Sequence, residues 1–149
     1  MTALENKELY RRVVEDLNRG DLESSLAFTA PDATLNDQPM GREGDKHRAQ
    51  MLAEAFPDQR YELQEMVAEG DLLVVRWRRT GTHLGELVGP TMTIPPTGKR
   101  LDMWGMSMYR IEDGMAKEIW ERFDMMEFLG SSASFPGRNR TPRRERMES

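Results

Sequence analysis

The sequence predicts a single α+β domain in which helices come first and an antiparallel sheet follows. Three observations support this prediction. Apolar residues recur at helical spacing in the first third of the chain. They alternate with polar residues in the second half, where valine, tryptophan and threonine are frequent. The length of 149 residues suits one domain with a sizeable core and is short for two.

Helical periodicity is clearest near the N-terminus. A first helix is predicted over residues 4–18, because one of its faces would collect Tyr10, Val13, Val14 and Leu17. These positions follow the i, i+3, i+4, i+7 spacing of an amphipathic helix that packs on a core.

Shorter elements follow this helix. Gly20 should end it, and Asp21 can cap a second helix that runs to Phe28. The Ala-Pro-Asp sequence at residues 30–32 should break the second helix. Residues 33–36 are then expected to form a short strand.

A third helix is predicted after a loop at residues 38–44. Asp45 is the expected N-cap, and Pro57 should end the helix. Its apolar face would consist of Met51, Leu52, Ala55 and Phe56.

Four strands are predicted in the second half, at residues 61–67, 72–82, 101–111 and 115–123. The first pair is joined by a turn at residues 69–71. The last pair is joined by Glu-Asp-Gly at residues 112–114, a strong hairpin signal. Prolines and glycines predict a loop over residues 85–98, and Asp124 can cap a last short helix to residue 129.

Charge is distributed unevenly along the chain. The net charge is −5, but the residues after Gly130 include five arginines and two glutamates, so they carry +3 and the rest carries −8. An acidic body is a poor electrostatic match for nucleic acid. No run of apolar residues is long enough to span a membrane. A charged N-terminus and the absence of cysteine favour a cytoplasmic protein. Residues 131–149 are expected to form a basic, disordered tail.

The strand predicted at residues 101–111 is apolar on both faces. Its odd positions would face the helices, and the apolar centre of the other face would consist of Trp104, Met106, Met108 and Trp120. An exposed patch of this kind calls for a partner. We expect a homodimer through the outer sheet face, the alternative being a monomer covered by its own loops.

Glu121 is the candidate catalytic residue. On the helix-covered face of the last strand it lies between Ile119 and Phe123, close to Gly105 and Ser107 if the hairpin is in register. A lone buried carboxylate is costly unless it is hydrogen-bonded or neutral, and this control of its protonation is what a general acid or base requires. Either a register slip or a salt bridge to a nearby arginine, at position 76 or 122, would make Glu121 structural instead.

Residues 76–79 form an aromatic and basic cluster, Arg-Trp-Arg-Arg. Trp77 has the parity to line a pocket, and it could equally fill the core. The three arginines are expected to pair with carboxylates such as Glu62, Glu65 or Glu118.

Other classes of site find little support. The two histidines, His47 and His83, are far apart and lack metal-binding spacing. No nucleotide-binding glycine motif and no serine-nucleophile motif are present. His83 ends a long strand beside the loop at residues 85–98, where the mouth of a pocket could lie.

Five short motifs resemble those of SnoaL-like polyketide cyclases in order and spacing. They are FPD at 56–58, VVRW at 74–77, GTHxG at 81–85, PPTGK at 95–99 and YRIxDG at 109–114. The resemblance covers about residues 5–130 and implies a SnoaL-like domain over residues 1–130. Its fold would be the cone of the ketosteroid isomerase and nuclear transport factor 2-like proteins, a curved antiparallel sheet with N-terminal helices on its concave face.

The resemblance also implies a chemistry. Members usually form dimers or higher oligomers and use no cofactor. In the aromatic polyketide cyclases an acidic residue on the last strand is the acid/base of an intramolecular aldol closure, and Glu121 occupies that position. Ser107 stands where those enzymes have an assisting histidine, and Gly105 stands where they have a polar pocket residue.

The predicted function is therefore cofactor-independent ring closure of an apolar polyketide in natural-product (antibiotic) biosynthesis, with Glu121 and Ser107 as catalytic residues and no metal. Alternatives are a shape-directed cyclase that promotes a cycloaddition without proton transfer, and a non-catalytic small-molecule binding or dimerisation module. The substrate is expected to contact Tyr10, Trp77, His83, Met103, Gly105, Tyr109, Ile119 and Phe123.

Overall fold

Three helices pack against a curved, open six-stranded sheet in the computed structural model, which describes residues 1–89 and 91–124. The helices are α1 (Ala3–Asn18), α2 (Leu22–Leu26) and α3 (Gly41–Ala55). The strands are β1 (Thr29–Leu35), β2 (Gln38–Pro39), β3 (Arg60–Glu69), β4 (Leu72–Thr82), β5 (Leu87–Val88), β6 (Thr93–Ile94), β7 (Arg100–Glu112) and β8 (Met115–Phe123). The α+β fold is confirmed.

The sheet has the strand order β2-β1-β8-β7-β4-β3. The pairs β3–β4, β4–β7 and β7–β8 are antiparallel, as predicted. At the other side β1 runs parallel to β8, so the sheet is mixed there. A parallel pair needs a crossover connection rather than a hairpin, and strand alternation alone does not reveal one.

The predicted end of the first helix at Gly20 and the predicted cap of the second at Asp21 are confirmed, and the structure adds Thr2 as the N-cap of α1. The Thr2 side chain accepts a hydrogen bond from the Glu5 N–H at the start of α1, and Gly20 has a φ of 79° just after its end. Asp21 caps α2 by accepting from the Ser24 N–H at 3.1 Å. The second helix ends earlier than predicted, at Leu26.

The segment after α2 differs from the prediction. Strand β1 begins at Thr29 and so includes residues 30–32, which were expected to lie outside any strand. Pro31 is tolerated because the pairing of β1 with β8 is interrupted between Thr29 and Thr34. The predicted loop at residues 38–44 contains β2 and the first turn of α3.

Asp45 is not the N-cap of α3, which begins four residues earlier at Gly41. The Asp45 carboxylate instead accepts a hydrogen bond from the Thr29 hydroxyl at 2.6 Å. The side chain therefore joins α3 to β1, a contact that helix-capping rules cannot anticipate.

A bulge in β3 changes which of its side chains face the core. Leu63 pairs with Trp77 and Glu65 with Arg76, so Gln64 is an extra residue in the ladder. The alternation shifts by one position after it, and Val67 is exposed rather than turned inward.

Strand β7 alternates as predicted. Every odd position from 101 to 111 is buried, whereas Asp102, Trp104 and Met106 on the other face are exposed. The hairpin to β8 turns through Asp113 and Gly114, both with positive φ, as a two-residue turn of this kind requires.

The predicted helix at 124–129 and the predicted tail at 131–149 lie outside the described residues, apart from Asp124. None of the helices in the described ranges is long and apolar enough to cross a membrane.

Gly85 allows the chain after β4 to approach the end of α3. The Leu84 and Gly85 N–H groups both donate to the Ala55 carbonyl, at 3.0 and 3.2 Å. A Cβ at position 85 would overlap the carbonyl oxygen of Glu54, which is backbone and cannot rotate away.

We expect Gly85→Ala to lower the free energy of unfolding by about 3 kcal/mol, because the added methyl forces the loop away from α3. Gly70→Ala is the control: its site is open but has positive φ, so the loss should be about 1 kcal/mol. Urea denaturation of both variants measures the difference. Equal losses would contradict the close approach of the loop to α3.

Candidate active site

A cavity of about 580 Å³ lies between the helices and the concave face of the sheet. This volume is within the usual range for small-molecule sites. Most of the lining is apolar and comes from α1, α3, β7 and the β5–β6 hairpin, including Val13, Leu52, Phe56, Leu101, Met103 and Ile94.

Glu121 of β8 lines this cavity, and its side chain is 17% exposed. The hairpin register places it beside Ser107 of β7, as expected. Its backbone N–H donates to the Asn36 side chain at 3.0 Å, which holds the end of β8 against the turn after β1. The inward orientation predicted from alternation is the one observed.

Arg48 of α3 is the partner of Glu121. Both terminal nitrogens of the guanidinium donate to the carboxylate, each at 3.3 Å. The predicted alternatives bind other groups: Arg76 contacts Glu65 at 2.8 Å, and Arg122 donates to the Asn36 side chain and to the backbone carbonyl of Glu121. The carboxylate is therefore not a lone charge.

Sequence reasoning missed Arg48, although a signal existed. Position 48 is three residues before Met51 and four before Leu52, so it shares the inward stripe of α3. Burial acts to lower the pKa of Arg48, but the charges of Glu121 and Asp45 outweigh it and the pKa is raised. Arg48 therefore remains a cation in the cavity wall.

The three tyrosines of the chain form one hydrogen-bonded cluster in the cavity wall. The Tyr10 hydroxyl lies 2.9 Å from that of Tyr61 and 3.0 Å from that of Tyr109. Burial raises the pKa of Tyr109 to about 12, assisted by the negative charge of Glu121. Burial likewise raises the pKa values of Tyr10 and Tyr61 well above 10.

Trp77 is both a core residue and a wall of the cavity. Its indole N–H donates to the Ser107 hydroxyl at 2.9 Å, and its ring stacks on Tyr61 at a centroid distance of 5.5 Å. The ring lies against Gly105, where a Cβ would overlap it. Gly105 and Ser107 thus position the indole and are not themselves part of the cavity lining.

The other expected contact residues divide into two groups. Those that line the cavity are Tyr10, Trp77, Met103, Tyr109, Ile119 and Phe123. His83 does not: it is fully buried, its Nδ1 lies 3.0 Å from the Thr97 hydroxyl, and its ring packs against Phe56. Within residues 1–89 and 91–124, no three histidine or acidic side chains are grouped so as to hold a metal ion.

The arginines at 76–79 pair only in part as predicted. Arg76 contacts Glu65, as expected, and Arg78 contacts Asp102 at 2.7 Å rather than a glutamate. Arg79 faces the cavity, and the three glutamates named for its pairing contact other arginines instead.

The predicted loop at 85–98 contains the β5–β6 hairpin, which closes with a hydrogen bond from the Gly89 N–H to the Met92 carbonyl at 2.8 Å. Leu87 and Ile94 line the cavity, as do Val88 and Met92, which are also largely exposed to solvent. The hairpin therefore forms a wall between the cavity and the exterior.

Comparison with known proteins supports the resemblance that the motifs indicate. Residues 7–130 match the sequence profile of the SnoaL-like polyketide cyclases. A search of curated proteins finds no significant match.

Solved structures share the fold over most of their length. AclR from Streptomyces galilaeus, a candidate hydroxylase, is 28% identical with a TM-score of 0.79, over 91% of this chain and 85% of its own. IdmH from Streptomyces antibioticus, a candidate polyketide cyclase, is 29% identical with a TM-score of 0.71, over 85% and 96%. A candidate SnoaL-like cyclase from Jannaschia sp. CCS1, 22% identical over 91% and 96% with a TM-score of 0.78, supports the fold. The profile match covers most of the chain, and the chain belongs to the SnoaL-like polyketide cyclase family.

Proposed function

We propose that the protein is a cofactor-independent polyketide cyclase in which Glu121 is the base of an intramolecular aldol closure. The observation that carries this proposal is a carboxylate facing a largely apolar cavity, with Arg48 as its one side-chain hydrogen-bond partner within the described ranges. A carboxylate has about four acceptor positions, so two stay available to a ligand. Such a reaction belongs to natural-product biosynthesis.

The proposed step begins at a carbon that lies between two carbonyl groups of the substrate. Glu121 takes a proton from this carbon, and the resulting enolate carbon attacks a second carbonyl carbon of the same molecule. One C–C bond forms, and the carbonyl oxygen becomes an alkoxide that takes a proton back from Glu121. Proton transfer by a positioned side chain contributes about 10²–10⁴-fold to a rate.

The tyrosine cluster can stabilise the developing alkoxide. Three hydroxyl groups carry three protons, and the two bonds that join them use two. One proton remains for a ligand, and it lies at the Tyr61 or the Tyr109 end of the cluster when Tyr10 accepts from one neighbour and donates to the other. In a site from which water is excluded, a hydrogen-bond donor of this kind stabilises the transition state by about 3 kcal/mol. Ser107, expected as a catalytic residue, supports this role indirectly by accepting a hydrogen bond from the Trp77 indole at 2.9 Å.

The likeness to a candidate hydroxylase makes oxygen transfer a competing reaction. The two reactions differ in their products: aldol closure gives an isomer of the substrate or its dehydrated form, whereas hydroxylation adds an oxygen atom. Mass spectrometry of the product distinguishes them.

Glu121→Gln should reduce the rate of ring closure at least about 100-fold, because the amide keeps the shape of the side chain but cannot take the proton. Exchange of the methylene protons of a 1,3-dicarbonyl polyketide in D₂O, followed by mass spectrometry, should fall by a similar factor. The matched control is Glu118→Gln on the same strand, where the carboxylate contacts Arg110 on the exposed side.

Ring closure at the wild-type rate by folded Glu121→Gln would contradict the proposal. If the rate of this variant were also independent of pH, a shape-directed cyclase would be the better description. Tight binding of polyketides without any product from the wild-type protein would indicate a binding module.

Alkaline titration should report the tyrosine cluster directly, because the chain has no other tyrosine. The folded protein retains protons up to about pH 12 at Tyr109, whereas the unfolded chain releases them near pH 10. The free energy of unfolding should therefore fall as the pH rises from about 10 to about 12. The expected slope is about 1.4 kcal/mol per pH unit for each tyrosine.

Urea denaturation at several pH values measures this slope, and Tyr61→Phe should reduce the tyrosine contribution by about one third. Phenolate absorbance of the folded wild-type protein that rises near pH 10 would contradict the burial of the cluster.

We also propose that two copies pair through the outer face of the sheet. Trp104 and Met106 on this face are 43% and 52% exposed, which is unusual for side chains of this size. Trp104→Glu should convert a dimer to a monomer in sedimentation velocity, because the carboxylate would be desolvated in the interface. Leu4→Glu, at an exposed apolar position of α1, is the control and should stay dimeric. A wild-type protein that is monomeric at every concentration would contradict this pairing.

A further inference from the structure

Arg79 is a cation in the cavity wall for which the described residues provide no counter-charge. In the sheet it lies between Tyr61 of β3 and Met103 of β7. Its guanidinium carbon is 5.3 Å from the ring centre of Tyr61 and 5.8 Å from that of Trp77. Its Nε is shielded from solvent and has no hydrogen-bond partner within residues 1–89 and 91–124.

The neighbouring arginines of β4 do have carboxylate partners. Arg78 makes two hydrogen bonds to Asp102, at 2.7 and 2.9 Å, and Arg76 makes one to Glu65 at 2.8 Å. Both lie on the outer face of the sheet, opposite Arg79. Of these three arginines, the one without a carboxylate partner among the described residues is therefore the one that faces the cavity.

An unpaired guanidinium in an apolar cavity is unfavourable. A guanidinium is a permanent cation in proteins, so it calls for a counter-charge. The aromatic rings of Tyr61 and Trp77 attract the cation through cation–π contacts, but they carry no negative charge that would neutralise it. An anion that enters the cavity with a ligand would supply the missing charge and would accept hydrogen bonds from the guanidinium.

We propose that Arg79 binds a carboxylate group of the substrate, so that the substrate is a polyketide acid rather than an ester or a thioester. This inference rests on the proposed function, since it takes the cavity as the substrate site. The two parallel N–H donors of a guanidinium match the two oxygens of a carboxylate. A free carboxylate arises when water cleaves an acyl thioester, so the class of reaction that supplies this substrate is thioester hydrolysis.

The sheet register separates the acid group from the reacting carbon. Glu121 is in register with Ser107 and through it with Val75, and Arg79 lies four residues further along β4. At about 3.3 Å per residue and about 4.8 Å per strand, the Cα atoms of Glu121 and Arg79 are about 16 Å apart. The carboxylate of the substrate would therefore lie at the far end of the molecule from the carbon that Glu121 deprotonates.

Equilibrium binding of two matched probes tests the proposal. Anthraquinone-2-carboxylate and its methyl ester have the same ring system and differ in charge, and quenching of tryptophan fluorescence reports their binding. The wild-type protein should bind the carboxylate about tenfold more tightly than the ester. Arg79→Met, which keeps an apolar side chain of similar length, should remove this preference and leave binding of the ester unchanged.

Arg78→Met is the matched control, because its side chain lies on the other face of the same strand, and it should behave as the wild type. Unchanged binding of the ester by Arg79→Met shows that this variant is folded. Arg79→Lys retains the positive charge and should keep part of the preference for the carboxylate probe. Equal affinity of the wild-type protein for both probes would overturn the proposal, and so would a wild-type protein that binds neither probe. An Arg79→Met variant that loses affinity for both probes by the same factor would also overturn it. Loss of the preference in Arg48→Met but not in Arg79→Met would also overturn it.

The outcome is independent of the role of Glu121, because the probes undergo no reaction. Glu121→Gln should bind the carboxylate probe at least as tightly as the wild type, since it removes a negative charge from the cavity. A failed proton-exchange experiment with a retained preference for the carboxylate would remove Glu121 from the mechanism and leave Arg79 as the acid-binding residue.

Discussion

A carboxylate can lie under the helices of this fold because a counter-charge reaches it from the opposite wall. Arg48 of α3 contacts Glu121 of β8, and Asp45, one turn earlier on α3, lies 3.6 Å from the same guanidinium. Asp45 in turn accepts from Thr29 of β1, so the charged groups connect one helix to two neighbouring strands. Apolar side chains at these positions would let helix and sheet close together, whereas a charged pair spans the space and keeps polar atoms at the cavity surface.

The tyrosine cluster is a second polar feature of a largely apolar cavity. Tyr10 of α1 lies between Tyr61 of β3 and Tyr109 of β7, so its hydroxyl joins the first helix to two strands that are not neighbours in the sheet. Each buried hydroxyl needs a partner, and in this arrangement each has at least one in another tyrosine. The cavity thus has the Arg48–Glu121 pair on the α3 side and the hydrogen-bonded tyrosines on the α1 side, with Arg79 over the ring of Tyr61.

The position of the Trp77 indole depends on two residues of β7, Gly105 and Ser107. The absence of a side chain at Gly105 lets the indole of Trp77 lie flat against β7, and the indole N–H then requires an acceptor. Ser107 provides that acceptor. Two positions that are polar in the cyclases of the family resemblance are here occupied by residues that hold an aromatic wall. The indole of Trp77 is therefore part of the apolar lining of the cavity, whereas Gly105 and Ser107 lie behind it.

The sequence by itself determined the elements and their faces. The bounds of β4 and β8 follow from alternation and turn residues, and the inward side chain of Glu121 follows from the register of a tight hairpin. Periodicity specifies which face of an element a residue occupies, but not which residue of another element it meets. The tertiary structure therefore decided that Arg48, which is 73 positions away in the chain, pairs with Glu121. It also decided that the shielded Nε of Arg79 has no hydrogen-bond partner in the part of the chain that the structure describes. It also decided that β1 joins the sheet in parallel, because long-range packing, and not local propensity, selects such contacts.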